Sequence, residues 1–221
     1  MAEQETKSVI VTKALHEYAV AHGSPPDAVQ QSLIEATAAL GGVSNMQIAP
    51  EQGAFMTLLA RLVDARFAVE VGTFTGYSSL CLARGLAPGG KLLCCDVSEE
   101  WTAIAREHWA QAGVEDRIEL VIGPAADTLR ALPADPPIDL AFIDADKPGY
   151  RTYYDEIVER LRPGGLVLLD NVLWSGNVVD ESDQSENTVA LRAINDHVAA
   201  DARVEAVMLP IADGLTLARK R

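Results

Sequence analysis

The chain has 221 residues, of which 48% are hydrophobic and 23% charged, an ordinary composition for a globular protein with a full core. Its 18 Lys and Arg against 32 Asp and Glu give a formal net charge of −14, which disfavours nucleic acid and anionic membranes as partners. No stretch approaches the roughly 18 apolar residues that span a bilayer, and residues 1–5 (MAEQE) lack the features of a secretion signal. We therefore expect a cytoplasmic protein with a single domain over residues 1–221.

The N-terminal part of the chain is predicted to be helical. Apolar residues recur at helical spacing over residues 8–21, 27–40 and 51–65. Gly41 and Gly42 are expected to end the second helix, and residues 46–50 to form an extended link into the third. We interpret residues 1–45 as cap helices and residues 46–221 as the core that carries the site.

Beyond the third helix, short apolar runs alternate with helical segments, a pattern typical of buried parallel strands. Strands are predicted at residues 67–71, 91–96, 117–122, 140–143 and 166–169, with a turn at 162–165 before the last. Helices are predicted at residues 77–85, 99–112 and 150–161, with a short one ending near Leu132, and a later helix at 187–200 precedes a strand pair at 203–209 and 215–218. The sequence therefore predicts an α/β fold with a doubly wound, mostly parallel sheet that helices cover on both faces.

Four acidic residues, Glu70, Asp96, Asp144 and Asp170, each fall at or near the end of a predicted strand. In this fold class, ligands bind outside the carboxyl ends of the strands, so the four side chains should converge there. An Asp after a strand can also start a turn or cap the next helix, but four acids in register favour a binding site. Because adjacent strands lie about 5 Å apart, the carboxylates of Asp144 and Asp170 and the amide oxygen of Asn171 could share one hard cation.

The turn after the first strand has features of a nucleoside-binding loop. Gly72 and Gly76 permit close approach of the backbone to a ligand, and a helix N-terminus follows. Asp96 lies 24 residues after Gly72, where a nucleoside binder places the acid that accepts hydrogen bonds from the ribose. The dinucleotide fingerprint G-x-G-x-x-G is absent and Glu70 would repel a pyrophosphate, so a nucleoside with a cationic or zwitterionic arm is expected.

Four segments of the sequence together resemble a known family. They are residues 70–78 (EVGTFTGYS), 142–147 (FIDADK), 170–174 (DNVLW) and 210–214 (PIADG). In order and spacing they resemble the cation-dependent O-methyltransferases that use S-adenosylmethionine, a group that includes catechol and caffeoyl-coenzyme A O-methyltransferases and many small bacterial enzymes. The resemblance runs from about Met46 to the C-terminus. It implies a class I methyltransferase fold, Rossmann-like, with a seven-stranded sheet whose last strand is antiparallel, and commonly a homodimer.

The resemblance also implies a role for each matching residue. The cation, usually magnesium or calcium, with manganese as a further choice, would be held by Asp144, Asp170 and Asn171. Contacts to S-adenosylmethionine would come from Met46, Ile48, Glu70, Gly72, Thr73, Ser78, Asp96, Ala125, Asp144 and Asp146. Lys147 would be the general base and act together with Asp144. The acceptor would lie beside Met46, Lys147, Asn171 and Trp174.

Two positions depart from the pattern of the family. Ser175 stands where plant members have an Asn, which leaves recognition of the acceptor at this position open. Pro124-Ala125-Ala126 replaces the more usual Asp-Ala, so contacts to the adenine are expected from main-chain groups.

Methyl transfer to a phenol needs an oxygen nucleophile, and a phenol with a pKa of about 10 is mostly protonated at neutral pH. A divalent cation that binds two vicinal oxygens would stabilise the phenolate, and Lys147 would take the proton. The expected substrate is therefore an aromatic diol of low molecular weight. Three alternatives stay open: a tRNA-uridine O-methyltransferase of the same family, an NAD-dependent dehydrogenase, and a non-catalytic protein that binds cofactor and metal.

Overall fold

A seven-stranded sheet forms the centre of the structure, a computed structural model that describes residues 12–221. Its strands in chain order are β1 (Phe67–Val71), β2 (Lys91–Asp96), β3 (Ile118–Ile122), β4 (Ile138–Ile143), β5 (Leu161–Asp170), β6 (Val204–Leu209) and β7 (Leu215–Lys220). The order across the sheet is β3-β2-β1-β4-β5-β7-β6. Strands β1 to β5 pair in parallel, and β7 runs antiparallel to both of its neighbours. The predicted α/β, doubly wound sheet is confirmed, and so is the antiparallel last strand that the resemblance implied.

Helices cover both faces of this sheet. They are α1 (Lys13–Ala21), α2 (Ala28–Ala38), α3 (Pro50–Leu62), α4 (Tyr77–Gly85), α5 (Glu99–Gln111), α6 (Ala125–Ala131), α7 (Tyr150–Arg160) and α8 (Glu186–Ala200). Helices α2 to α5 pack on one face, and α6 to α8 pack on the other. Successive residues of β4 alternate between the two cores, with Leu140 and Phe142 on the first face and Ala141 and Ile143 on the second. All of β4 is buried, as a strand covered on both faces requires.

The helix starts follow from local chemistry. Asp27 and Gln30 form a reciprocal capping box at α2, and Ser98 caps α5 through a 3.2 Å hydrogen bond from the N–H of Trp101; such caps contribute about 1 kcal/mol each. Helix α4 is different, because its cap is Gly76 and no side chain accepts from its first turn. The first N–H groups of α4, just beyond β1, are therefore left for other partners.

Two segments differ from the sequence-based predictions. Residues 162–165, predicted as a turn, lie within β5, which spans 10 residues. The pairing of β5 with β4 shifts register across this stretch, so the glycines form an irregularity inside the strand. The link before α3 is also shorter than predicted, because Gly41–Met46 forms a 3₁₀ helix. Of the helix predicted over residues 8–21, the part before residue 12 lies outside the described residues.

The strand order reverses between β1 and β4, since β2 and β3 lie on one side of this pair and β5 on the other. Sheets of this class bind ligands outside the carboxyl ends of the strands at such a switch point. The turn that follows β1 and the loop that follows β4 lie side by side at this point, because β1 and β4 pair in parallel. From residue 12 onward, none of the helices has the length and apolar character that crossing a membrane demands.

Candidate active site

Glu70 lies at the end of β1 with no exposed surface. Its neighbours across the sheet are Cys94 of β2 and Phe142 of β4. Neither carboxylate oxygen makes a hydrogen bond of normal geometry, and the hydroxyl of Thr73 is likewise without a partner. Burial raises the pKa of Glu70 to about 7, while the side chains of Ser78, Cys94 and Thr73 oppose the shift. Buried polar atoms without partners are costly, and a ligand with donor groups would satisfy them.

Gly72 and Gly76, in the turn after β1, are also required by contacts within the protein, a reason that the sequence did not reveal. Gly72 and Gly76 have φ angles of 90° and 86°. A Cβ atom at Gly72 would lie 1.9 Å from the carbonyl oxygen of Asp144, and one at Gly76 would lie 2.4 Å from Cβ of Ala105. The N–H of Gly72 donates to the carbonyl of Cys95 at 2.9 Å. The chain itself therefore approaches closely at both glycines, and at Gly72 this contact fixes the loop after β4 against the turn. The contact of Gly72 to the cofactor stays a prediction.

Asp96 points back to the same turn. Its Oδ2 accepts hydrogen bonds from the N–H groups of Thr73 and Phe74, each at 2.8 Å, and its Oδ1 accepts from that of Ser98 at 2.8 Å. One acceptor position remains on Oδ1, since a carboxylate oxygen offers two lone pairs. Asp96 thus shapes the turn, and its contact to a ribose stays a prediction.

The ammonium group of Lys147 lies among three oxygens at the ends of β4 and β5. Its Nζ is 3.1 Å from Oδ1 of Asp144, 2.7 Å from Oδ1 of Asn171 and 2.8 Å from the hydroxyl of Tyr150. The side chain is only 8% exposed, and the centroid of the Trp174 ring lies 5.7 Å from Nζ. The structure therefore brings the predicted base next to two of the predicted cation ligands and next to the Trp174 ring, which is predicted to lie beside the substrate.

Asp144 and Asp170 place two like charges at this edge. Burial, together with the neighbouring Asp144 carboxylate, raises the pKa of Asp170 to about 7. Burial also raises the pKa of Asp144, while Lys147 opposes the shift. Asn171, whose N–H donates to Oδ1 of Asp170 at 2.9 Å, has a φ of 56°, in the left-handed region that Asn tolerates.

This donor set fits a divalent cation. Two carboxylates and an amide carbonyl are the hard oxygen ligands that such ions take, and a positive charge would offset the repulsion between Asp144 and Asp170. Within residues 12–221, no group of three or more His, Cys, Asp or Glu side chains could hold a metal ion. A cation at this edge would therefore rely on the amide oxygen of Asn171 as its third protein ligand.

The remaining predicted site residues lie on the elements around this edge. Asp146 accepts hydrogen bonds from the hydroxyl of Tyr153 at 2.6 Å and from the N–H of Gly149 at 3.0 Å. Ser78, Ala125 and Ile48 are buried, at 6%, 8% and 8% exposure, whereas Met46 is 42% exposed. Ile48 packs in the core of the first face and Ala125 in that of the second.

Sequence reasoning missed three residues of the site. Tyr150 contacts Lys147, and Tyr153 contacts Asp146. The signal available in the sequence was their spacing: Tyr150 follows Lys147 by three residues, and Tyr153 follows Asp146 by seven. Both tyrosines lie in the first turn of α7. The third is Gln52 of α3, which is 1% exposed, lies near enough to Asp170 to lower the pKa of that carboxyl, and has no hydrogen-bond partner of normal geometry for either amide atom. No local pattern marks Gln52.

A separate cavity of about 570 Å³ lies between the end of α8 and the edge strand β6. Its lining includes Asp201, Met208 and Thr216, and it includes none of the residues predicted for the site. The candidate active site is therefore defined by the chemistry at the sheet edge, not by this cavity.

Comparisons with known proteins identify the family of this chain. The family model described as O-methyltransferase matches residues 21–221. The Dictyostelium discoideum protein named "Probable caffeoyl-CoA O-methyltransferase 1" is 42% identical over 207 residues, which cover 92% of this chain and 90% of that one. Caffeoyl-CoA O-methyltransferase 1 of Eucalyptus globulus is 36% identical over 184 residues, covering 79% of this chain and 75% of its own. The structure of the O-methyltransferase TomG from Streptomyces achromogenes, in complex with SAM, matches with a TM-score of 0.86 at 30% identity and covers 94% of this chain and 96% of that one.

The sheet order, the turn after β1 and these matches define a class I methyltransferase that depends on S-adenosylmethionine. The chain belongs to the O-methyltransferase family. A dehydrogenase that uses NAD and a non-catalytic binding protein, both left open by the sequence, are thereby set aside.

Proposed function

We propose that this enzyme transfers a methyl group from S-adenosylmethionine to one hydroxyl of a catechol-like small molecule and requires a divalent cation. The observation that carries the proposal is the meeting of Lys147 with Asp144 and Asn171, at 3.1 and 2.7 Å. The names of the Dictyostelium and Eucalyptus relatives support the acceptor class, because a caffeoyl group carries two vicinal phenolic hydroxyls.

The proposed cation is Mg²⁺, Ca²⁺ or Mn²⁺, held by Asp144, Asp170 and Asn171. Bound there, it would hold both oxygens of the diol and stabilise the phenolate form. The raised pKa values of Asp144 and Asp170 support the assignment, since they reflect the cost of two neighbouring, poorly solvated carboxylates without a compensating divalent charge.

Lys147 is the proposed general base. Its Nζ is within hydrogen-bond distance of two proposed cation ligands, so an acceptor hydroxyl beside them would also be within reach. The Trp174 ring, 5.7 Å from Nζ, would pack against the aromatic acceptor and orient it.

S-Adenosylmethionine is proposed to bind at the turn after β1. The buried Glu70 and Thr73 offer oxygen atoms without partners. The carboxylate of Glu70 suits the positively charged arm of this cofactor, and Asp96 is proposed to accept hydrogen bonds from its ribose. The contacts expected from Met46 and Ile48 belong to the same proposal. A homodimer, and the lack of nucleic-acid and membrane partners, stay predictions.

The proposal is tested with purified enzyme and a panel of catechols, caffeoyl esters and hydroxylated flavonoids, each with Mg²⁺ and with a chelator. Matched monohydroxy compounds serve as controls, and mass spectrometry detects the methylated product. We expect methylation of the diols alone and its loss in chelator. In the Asp170→Ala variant, which lacks one cation ligand, added Mg²⁺ should no longer stimulate turnover.

Equal turnover in chelator would contradict the cation site. Equal methylation of monohydroxy compounds would contradict the diol. Methylation of a tRNA transcript in place of every small diol would favour the tRNA-uridine alternative.

A further inference from the structure

Tyr150 places a hydroxyl inside the site although its side chain is fully buried. The hydroxyl lies 2.8 Å from Nζ of Lys147 and 3.1 Å from the main-chain carbonyl oxygen of Asp170. A phenol has one proton, and this proton is donated to the Asp170 carbonyl, so the oxygen faces Lys147 as an acceptor. Tyr150 therefore links the base to the backbone at the end of β5.

The three oxygen partners of Lys147 differ in what else they are proposed to bind. Asp144 and Asn171 belong to the proposed cation ligands, whereas Tyr150 does not. A lysine ammonium is carried on a flexible four-carbon stem and is easily displaced. A cation bound by Asp144 and Asn171 would compete with Nζ for their oxygens, whereas the hydroxyl of Tyr150 would keep its contact to Nζ.

We propose that Tyr150 is a positioning residue for methyl transfer. Its hydroxyl holds Nζ of Lys147 beside the cation ligands and sets the direction from which the amine meets the acceptor hydroxyl. The inference rests on the proposed function and deepens it, because it assigns a role to a residue that acts only through Lys147. A displacement of about 1 Å in a catalytic group can cost up to about 100-fold in rate.

The test compares Tyr150→Phe with a matched control on the same helix. Tyr154 is also fully buried on α7, but its hydroxyl donates to Asp201 at 3.1 Å, so Tyr154→Phe removes the same atom elsewhere. With a diol acceptor and saturating Mg²⁺, we expect kcat of Tyr150→Phe to fall about 10- to 100-fold. The Kd for S-adenosylmethionine should be unchanged, and Tyr154→Phe should keep the wild-type kcat.

Lys147→Met gives the second arm of the test. Because the hydroxyl of Tyr150 acts through Lys147, adding Tyr150→Phe to Lys147→Met should lower kcat no further. An additive loss in the double variant would overturn the proposal. So would a parallel loss of kcat and of cofactor affinity in Tyr150→Phe alone, which is the signature of a damaged fold.

A third arm needs no turnover. Acetylation of Lys147 by an amine-reactive ester, followed by mass spectrometry in saturating Mg²⁺, should be about tenfold faster in Tyr150→Phe, because a hydrogen bond to the ammonium has been lost. Equal labelling in Tyr150→Phe and wild type would overturn the inference. If the wild-type enzyme methylates no diol, the proposed function fails, while this arm still decides whether Tyr150 holds Lys147.

Discussion

Nζ of Lys147 lies 2.7 Å from the amide oxygen of Asn171, although 24 positions separate the two residues in the sequence. One follows β4 and the other follows β5, and the pairing of Ile143 with Leu169 brings these strand ends together. The site is thus assembled by strand register. A slip of one residue would send the side chains of one strand to the opposite face and separate the pair.

Replacing Lys147 by Met removes the ammonium and keeps most of the side-chain volume. We expect kcat to fall about 100-fold or more, the usual contribution of a general base, with little change in the Kd for S-adenosylmethionine. Steady-state kinetics and calorimetric titration measure the two quantities. Lys13→Met is the control, since that side chain is 89% exposed on α1. Wild-type turnover in Lys147→Met would remove this residue from the mechanism.

Glu70 should make the ligand-free protein less stable as pH rises. Its pKa is raised from 4.5 to about 7, so the folded state keeps a proton that the unfolded state has already released. The free energy of unfolding should therefore fall between about pH 4.5 and pH 7, by roughly 1 to 3 kcal/mol from this group. Glu70→Gln abolishes this titration, so the variant should gain stability relative to wild type across that range. Thermal unfolding at a series of pH values checks this, and a gap that stays constant with pH would contradict the expectation.

Gly72→Ala should destabilise the protein, because the added methyl group would clash with the loop that carries Asp144. The added Cβ would lie 1.9 Å from the carbonyl oxygen of Asp144, and φ is 90°. Gly89→Ala is the matched control, because its φ of 77° is similar and nothing lies within 4 Å of the added atom. We expect Gly89→Ala to lose about 1 kcal/mol from backbone strain alone, and Gly72→Ala to lose roughly 3 kcal/mol or more. Urea denaturation measures both losses, and equal values would show that the contact with Asp144 is unimportant.

Arg192 of α8 holds the loop that follows the site. Its guanidinium donates hydrogen bonds to the main-chain carbonyls of Asn177, Val178, Asp180 and Asp183. Arg192→Met should loosen this loop, since charged hydrogen bonds contribute about 1.5 to 3 kcal/mol. Because the loop follows Trp174, which is proposed to orient the acceptor, we expect KM for the acceptor to rise about tenfold. The Kd for S-adenosylmethionine should stay unchanged. Limited proteolysis within residues 177–183 and acceptor kinetics test this.

The control for Arg192 is Arg151→Met, which removes a surface ion pair with Asp155 on α7. Surface pairs of this kind contribute about 0 to 1 kcal/mol. If Arg192→Met keeps the wild-type proteolysis pattern and acceptor KM, the loop is held by other contacts.

The start of β5 shows where local signals failed. Pro163, Gly164 and Gly165 are strong turn residues, and they predicted a turn before the strand. In the folded protein the strand instead begins at Leu161, which pairs with Ile138. Pairing with β4 accommodates these residues as an irregularity, a tertiary effect that no window of sequence contains.

The sequence by itself determined the fold class and the chemistry available at the sheet edge. Apolar runs, their spacing and the acids that follow them are local features, so Asp144, Lys147, Asp170 and Asn171 could be found without coordinates. Only the tertiary structure decided which partners these residues have. Tyr150 contacts Lys147, Gln52 lies beside Asp170, and the carbonyl group of Asp144 packs against Gly72. Such contacts join residues on different elements, and strand register and side-chain packing fix them only when the whole sheet has formed.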